Sequence, residues 1–303
     1  MTDRTDKPLS AGIELGGSKV VCLLASGPGA VRDEVRIATT TPEETMAAIV
    51  AVLERWRADP GFGALGIAGF GPLDLDERSP GFGRIISTPK PGWSGVSLTA
   101  LGEGHGVPVG IDTDVNAAAL AEGRWGAARG LASYVYVTVG TGVGVGSIVG
   151  GRPVRGLGHS EAGHLRIARA PGDGWPGVCP YHGDCVEGLA SGPAIVARAG
   201  RSGHDLKPED PAWEMVIHAL GGLMHNLVLT TAPERILIGG GVADGQGWLF
   251  PRLRAALIES LGGYATADRI AADAEAFVQP PALGRLAGPL GAIALAQDAL
   301  SCR

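Results

Sequence analysis

Glu14-Leu15-Gly16-Gly17-Ser18, near the start of the chain, is echoed by Thr138-Val139-Gly140-Thr141-Gly142 near its middle. In each, an apolar run ends in a glycine turn that carries a hydroxyl, and a second apolar run follows. The first copy spans Ala11–Ser26, and the second pairs Ser133–Val139 with Val143–Val149. Short apolar runs bounded by glycine read as buried strands. Ala64–Ala68, Val107–Ile111 and Arg235–Ile238 supply further strands. Thr41-Pro42-Glu43-Glu44 has the pattern of a capping box with proline at the first helical position, and opens a helix to about Asp59. Val115–Glu122, Ala212–Ala232, Trp248–Leu261 and Leu286–Ala299 hold further helices. Strand–turn–strand openings in two halves, each followed by helices, predict an α/β chain of two related lobes facing one another across a cleft. The expected division is a smaller lobe, 1–114 with 290–303, and a larger one, 115–289, that carries a long loop over 159–188.

The bulk figures bound the function. A chain of 303 residues is comfortable for two lobes. Apolar residues make up 45% and charged residues 18%, as in a water-soluble protein with a large core. A net charge of -6 argues against nucleic acid as a partner, since its binders usually present a basic face. Met1–Lys7 is polar and precedes no apolar targeting segment, and no apolar run reaches the length of a membrane span, so a cytoplasmic protein is expected. In that setting four cysteines do not read as a disulfide framework. Cys22 lies in an apolar stretch and Cys302 at the terminus; neither reads as functional, whereas Cys179 and Cys185 share a loop.

Glycine turns with exposed N–H groups cradle phosphate oxygens, because the donors converge and no Cβ blocks the approach. Gly16, Gly17, Ser18 and Lys19 form one such turn, Thr138, Gly140, Thr141 and Gly142 a second, and Gly239-Gly240-Gly241 after a short strand a third. Each alone could be a plain hairpin turn; three together favour a nucleotide. A P-loop is excluded, because none of the four lysines follows a glycine. A dinucleotide fingerprint is excluded as well, because Val145 stands where its third glycine is required.

Ile111-Asp112-Thr113-Asp114-Val115-Asn116 places carboxylates between an apolar strand and a helix. Ligands of open α/β sheets gather at the carboxyl ends of strands, so Asp114 is the candidate acid–base group. An N-cap role for one of the aspartates, Asp112 above all, is the alternative. Phosphoryl transfer tolerates a weak carboxylate base, because its loose transition state asks mainly for orientation.

His164 and the run Cys179-Pro180-Tyr181-His182-Gly183-Asp184-Cys185 have the residue types and spacing of a tetrahedral zinc site. Four protein ligands leave no open position, so the metal would be structural. Asp184 or a backbone carbonyl could orient a ligating imidazole. Glu161 and Glu187 flank the ligands and would be held for gripping sugar hydroxyls, or would be solvated loop charges.

These motifs together resemble the ROK family (repressors, open reading frames, kinases), close to its bacterial fructokinases. The resemblance also covers Gly69-Phe70-Gly71-Pro72-Leu73-Asp74, Ser87-Thr88-Pro89-Lys90-Pro91-Gly92-Trp93 and Leu286-Ala287-Gly288-Pro289-Leu290-Gly291-Ala292. It implies an actin-like, ribonuclease-H-type pair of lobes, ATP, Mg²⁺, structural zinc and a homodimer. It also implies Asp114 as general base, the Gly16–Lys19 and Thr138–Gly142 turns on phosphates, and Gly239–Gly241 against the adenosine. Thr113, Glu161, His164 and Glu187 would contact the sugar, with His164 also ligating zinc. Three departures stand out: Glu14 replaces the usual aspartate, so its link to Mg²⁺ could run through water; Thr113 replaces an asparagine; and His182 replaces a cysteine. All three fit the fructokinase branch. The expected reaction is transfer of the ATP γ-phosphate to the 6-hydroxyl of D-fructose, with a mannokinase or broad hexokinase next in line. A sugar-responsive repressor is disfavoured, because about ten residues precede the first strand, too few for a DNA-binding module; a non-catalytic sensor is disfavoured by the intact Asp114 and turns.

Overall fold

The structure is a computed structural model that describes residues 8–301, so the readings placed on Met1–Lys7 and Cys302 lie outside the described residues. The chain divides into two compact units. The first takes in the described residues up to Arg129, with Arg155–His159 and those from Arg285; the second takes in Gly130–Val154 and Ser160–Gly284.

In the first unit β1 (Ser10–Leu15) and β2 (Lys19–Ala25) form the expected hairpin, and Leu15 pairs with Val20 across the Gly16–Lys19 turn. A third strand, β3 (Val31–Ala38), extends it. It carries four charges in eight residues and lies at the sheet edge, where charge discourages pairing with another chain; that composition hid it from a search for apolar runs. Helix α1 (Pro42–Ala58) starts as read, with Thr41 Oγ1 accepting from Glu44 N at 3.3 Å. The Glu44 carboxylate accepts from the Thr40 hydroxyl (2.8 Å). Two parallel strands, β4 (Ala64–Gly69) and β5 (Val109–Thr113), complete the order β3-β2-β1-β4-β5. Strand β5 begins and ends two residues later than its apolar run, because Pro108 has no N–H to give a ladder. Helix α2 (Asp114–Trp125) follows without a loop.

The second unit repeats the plan. The hairpin of β6 (Tyr134–Val139) and β7 (Val143–Val149) is extended by the short antiparallel β8 (Arg152–Pro153). The helices α3 (Val186–Ala190), α4 (Gly192–Ala199) and α5 (Ala212–Thr231) precede β9 (Ile236–Gly239), and α6 (Leu249–Leu261), α7 (Ala267–Ala272) and α8 (Ala274–Phe277) precede β10 (Val278–Gln279). Strands β9 and β10 add in parallel to β6, giving β8-β7-β6-β9-β10. This is the order and polarity of the first sheet, so the echo of two glycine turns is a duplication of sheet topology. The buried core of the unit runs from Val135, Val137 and Val139 to Trp213, Leu220 and Leu223 of α5 and Leu253 and Leu257 of α6.

The last helix, α9 (Ala287–Ser301), returns to the first sheet and rides directly on its strand backbones. A Cβ on Gly66 would land on the Ala292 carbonyl, one on Gly110 on the Leu295 carbonyl, and one on Gly12 within 3.0 Å of Ala292 Cβ. The abundance of glycine is thus in part a packing requirement: helix and sheet touch where strands carry no side chain. Gly66→Ala is expected to destabilise the protein by about 3 kcal/mol, the upper end of the range for overpacking. Gly17→Ala, in open space on an exposed turn, should stay within about 0.5 kcal/mol when both variants are unfolded in urea. Among the described residues no helix is long and apolar enough to cross a membrane.

Candidate active site

The first unit gathers its carboxylates where β1 and β5 end. Thr113, buried, caps α2 by accepting from Asn116 N at 3.2 Å. The cap is therefore this threonine, and the expectation that Asp112 could serve is corrected: its carboxylate is 1% exposed and faces three donors. Asp112 Oδ1 accepts from Thr113 N (2.8 Å) and Asn116 Nδ2 (2.9 Å), and Oδ2 accepts from Arg155 Nη2 (2.5 Å). Asp114, the first residue of α2, accepts from Val115 N at 2.9 Å through Oδ1. Burial pushes its carboxyl up to about 6, against the pull of the Val115 N–H. Glu14 is pushed up to about 7 by burial first and the charge of Asp114 second, while Lys19 opposes the shift. A Cβ on Gly288, in α9, would strike the Glu14 carboxylate, so that glycine makes room for it. Two half-buried carboxylates next to a lysine form an acidic pair, and Glu14 has the charge to hold the Mg²⁺ of a nucleotide.

The Gly16–Lys19 turn, with Gly17, Ser18 and Lys19 exposed, is steadied from behind. Lys90 Nζ donates to the Gly17 carbonyl (2.7 Å), and Thr39 Oγ1 donates to the Gly16 carbonyl (2.8 Å). The role of Lys90 escaped the sequence reading, since nothing local links Lys90 to residue 17.

In the second unit the other two glycine turns lie against one another. Gly240 has φ +91°, and a Cβ there would enter the Thr138–Val139 backbone, so only glycine serves. Val242 N donates to the Val139 carbonyl (2.8 Å), and Gly192 N, at the start of α4, to the Gly140 carbonyl (2.7 Å). Thr138, Gly140, Thr141, Gly142, Gly240 and Gly241 therefore form one continuous glycine-lined surface, with Gly239 buried beside Pro281 and Tyr136.

The four metal-ligand candidates converge. His164 Nδ1 lies 3.5 Å from Cys185 Sγ, 3.6 Å from Cys179 Sγ and 3.3 Å from His182 Nδ1. All four ligand atoms lie within 4.8 Å of one another. Zinc bonds of about 2.0–2.3 Å in tetrahedral geometry call for ligand separations of this size. Burial, with Cys179 adding to it, pushes the Cys185 thiol up to about 11, so its thiolate needs a cation beside it. The donor set fits zinc. A tight backbone hairpin, Cys179 N to Gly183 O (3.1 Å) and Gly183 N to Cys179 O (2.9 Å), aligns the loop.

Asp184 does not orient a ligand as expected, because Arg169 holds it at 2.8 Å. The carboxylate beside the ligating ring is Glu187, whose Oε1 is 4.0 Å from His164 Nε2. Its Oε2 accepts from Val143 N (3.1 Å) and lies where a Cβ on Gly142 would be. Glu161 is exposed, and Gly163 lets the Glu161–His164 turn sit directly on the Val143 carbonyl. Glu187 and the Glu161–His164 turn thus meet the Thr138–Gly142 turn at Val143, the first residue of β7.

Duplicated five-stranded sheets, glycine turns at equivalent strand ends and a carboxylate at a strand-to-helix junction define a duplicated α/β fold of the kind found in sugar kinases. The chain belongs to the ROK family, whose profile matches residues 10–299. It is 42% identical over 300 residues to a fructokinase of Zymomonas mobilis, covering 97% of this chain and 98% of that one. It is 38% identical over 293 residues to a fructokinase of Pediococcus pentosaceus, covering 96% and 99%. The ROK hexokinase of Thermus thermophilus has the same fold, with a TM-score of 0.78 and 29% identity over 97% of this chain and 100% of that one.

Proposed function

We propose that this chain is an ATP-dependent fructokinase, moving the γ-phosphoryl group of ATP to the 6-hydroxyl of D-fructose. The observation that carries the reading is near full-length identity of 38–42% to fructokinases in a chain with Asp114 at its β5–α2 junction. Asp114 accepts the proton of the sugar hydroxyl as that oxygen bonds to the γ-phosphorus and ADP departs. A carboxyl held near pH 6 is a better base at neutral pH than an ordinary aspartate, yet still ionised. The Gly16–Lys19 and Thr138–Gly142 turns hold phosphate oxygens, and Gly239–Gly241 takes the adenosine side. Glu14, directly or through a water, would hold the Mg²⁺ of the nucleotide, which would supply charge neutralisation on the phosphates. Glu161, His164 and Glu187 hold sugar hydroxyls, fixed by structural zinc on His164, Cys179, His182 and Cys185; Thr113, expected on the sugar, is instead buried with its hydroxyl on Asn116 N, so it acts through that cap beside Asp114. A homodimer acting in the cytoplasm completes the reading, on the family resemblance.

A coupled assay of ADP release over fructose, mannose, glucose and N-acetylmannosamine tests it. Fructose is expected to show the highest kcat/KM, by at least about tenfold, the low end of what a pocket supplies for one small group. A higher value for mannose would move the assignment to a mannokinase.

A further inference from the structure

Residues Arg155–His159 belong to the first unit although the residues on either side belong to the second. The segment is a tight hairpin: Arg155 bridges to His159, and Gly156 N donates to the Gly158 carbonyl at 3.0 Å. It is pinned at both legs. Arg155 Nη2 donates to Asp112 Oδ2 (2.5 Å), and His159 Nε2 accepts from Leu73 N (2.9 Å).

We propose that Arg155 is a positioning residue for phosphoryl transfer: it closes the Asp112 network that sets the direction of Asp114. The proposal rests on the assignment of Asp114 as the base. Asp112 is the hub of the strand-to-helix junction. Two of its three donors, Thr113 N and Asn116 Nδ2, flank Asp114 on either side in sequence, and the third, Arg155, is the charged one. A carboxylate with 1% exposure holds its geometry only when its charge is matched. Without the guanidinium, the Asp112 charge is left unmatched and its side chain turns toward water, which loosens its grip on Asn116 and Thr113. The first turn of α2 then shifts, and with it Asp114, whose Oδ1 is tied to that turn by the Val115 N–H. A displacement of about 1 Å at a reacting group costs about 10²-fold in rate. The guanidinium is itself partly exposed, at 38%, so it acts through Asp112 from outside the junction.

The test compares wild type, Arg155→Met, Arg155→Lys, Asp112→Asn and the neutral pair Asp112→Asn with Arg155→Met, each assayed with ATP and the hexose that wild type turns over best. Arg155→Met is expected to lower kcat about 10²-fold, with KM for ATP within about twofold and the folded fraction unchanged at assay temperature. Arg155→Lys should recover part of the loss, since it restores the charge without the planar fork. The neutral pair leaves no uncompensated buried charge, so it reports on kcat even if Arg155→Met alone fails to fold; it should lower kcat no further than Asp112→Asn alone. A kcat within threefold of wild type in the neutral pair overturns the proposal, as does a loss in Arg155→Met that only follows its folded fraction. If wild type turns over none of the hexoses, the kinase reading falls and takes this one with it; turnover by wild type matched by every variant sinks only the role of Arg155.

Discussion

Asp114→Asn is expected to lower kcat by about 10²–10⁴-fold, the range for removing a general base, with KM for ATP and sugar within a few-fold. The asparagine keeps the size of the side chain and an oxygen for the Val115 N–H, but it cannot take a proton. The pH dependence distinguishes lost chemistry from lost structure. Glu14, pushed up to about 7, brings one fall in kcat/KM below that point; Asp114, pushed up to about 6, should add a further fall of about tenfold per pH unit below its own. Asp114→Asn should lose this limb. Stability should move the opposite way to activity. An ordinary aspartate titrates near 4; between there and pH 6 the folded chain keeps a proton that the unfolded chain has released. The cost of Asp114 to folding therefore builds as pH rises across that window and is complete above it. Asparagine removes that cost, so its Tm at pH 7.5 should exceed that of wild type. A variant that is less active and also less stable at pH 7.5 would contradict the burial argument, and wild-type kcat in Asp114→Asn would remove it as the base.

How much of this the sequence disclosed follows from the range of the contacts. The glycine turns were legible because their cause is local: a short strand, a turn that needs glycine, a second strand. The metal ligands were legible for the same reason, three of them lying within Cys179–Cys185. What could not be read are pairings between distant residues. Arg155 and Asp112 are 43 positions apart, and Glu187 and Val143 are 44 apart; no local pattern announces either bond. The junction at Asp112–Asp114 was read as chemistry with the cap misplaced, because aspartate and threonine are both good caps and only the backbone decides between them. Strand β3 escaped because an edge strand is free to carry charge, and α4 because its eight residues start only one residue after α3 ends. Ser191 and Pro193, a cap followed by proline in the first turn, were the signal that could have found it.

If His164, Cys179, His182 and Cys185 hold zinc as proposed, removing it should disturb more than their loop. Protein prepared without chelators is expected to contain about one zinc per chain by elemental analysis, and Cys185→Ala to contain none. Structural zinc is worth on the order of 10 kcal/mol in isolated fingers, against total stabilities of about 5–15 kcal/mol. Even half of that corresponds to a fall in Tm of roughly 10–20 °C for a unit of this size. The functional consequence runs through one side chain. His164 presents Nδ1 to the other ligands and Nε2 to Glu187, and the same Glu187 accepts the Val143 N–H where the Thr138–Gly142 turn enters β7. Loss of the metal frees the imidazole, Glu187 loses its neighbour, and the exit of the glycine turn loses an anchor. Chelated protein below its Tm should therefore show KM for the sugar raised at least about tenfold, the effect expected when the groups supporting a metal site are lost. KM for ATP should rise as well, though less. Glu187→Gln, which keeps an acceptor for Val143 but removes the charge beside His164, should reproduce the sugar effect, retain zinc and leave KM for ATP near wild type. If instead it raises both constants equally, the carboxylate acts on the glycine turn through its charge, and the separation of its two oxygens into a sugar side and a phosphate side is wrong.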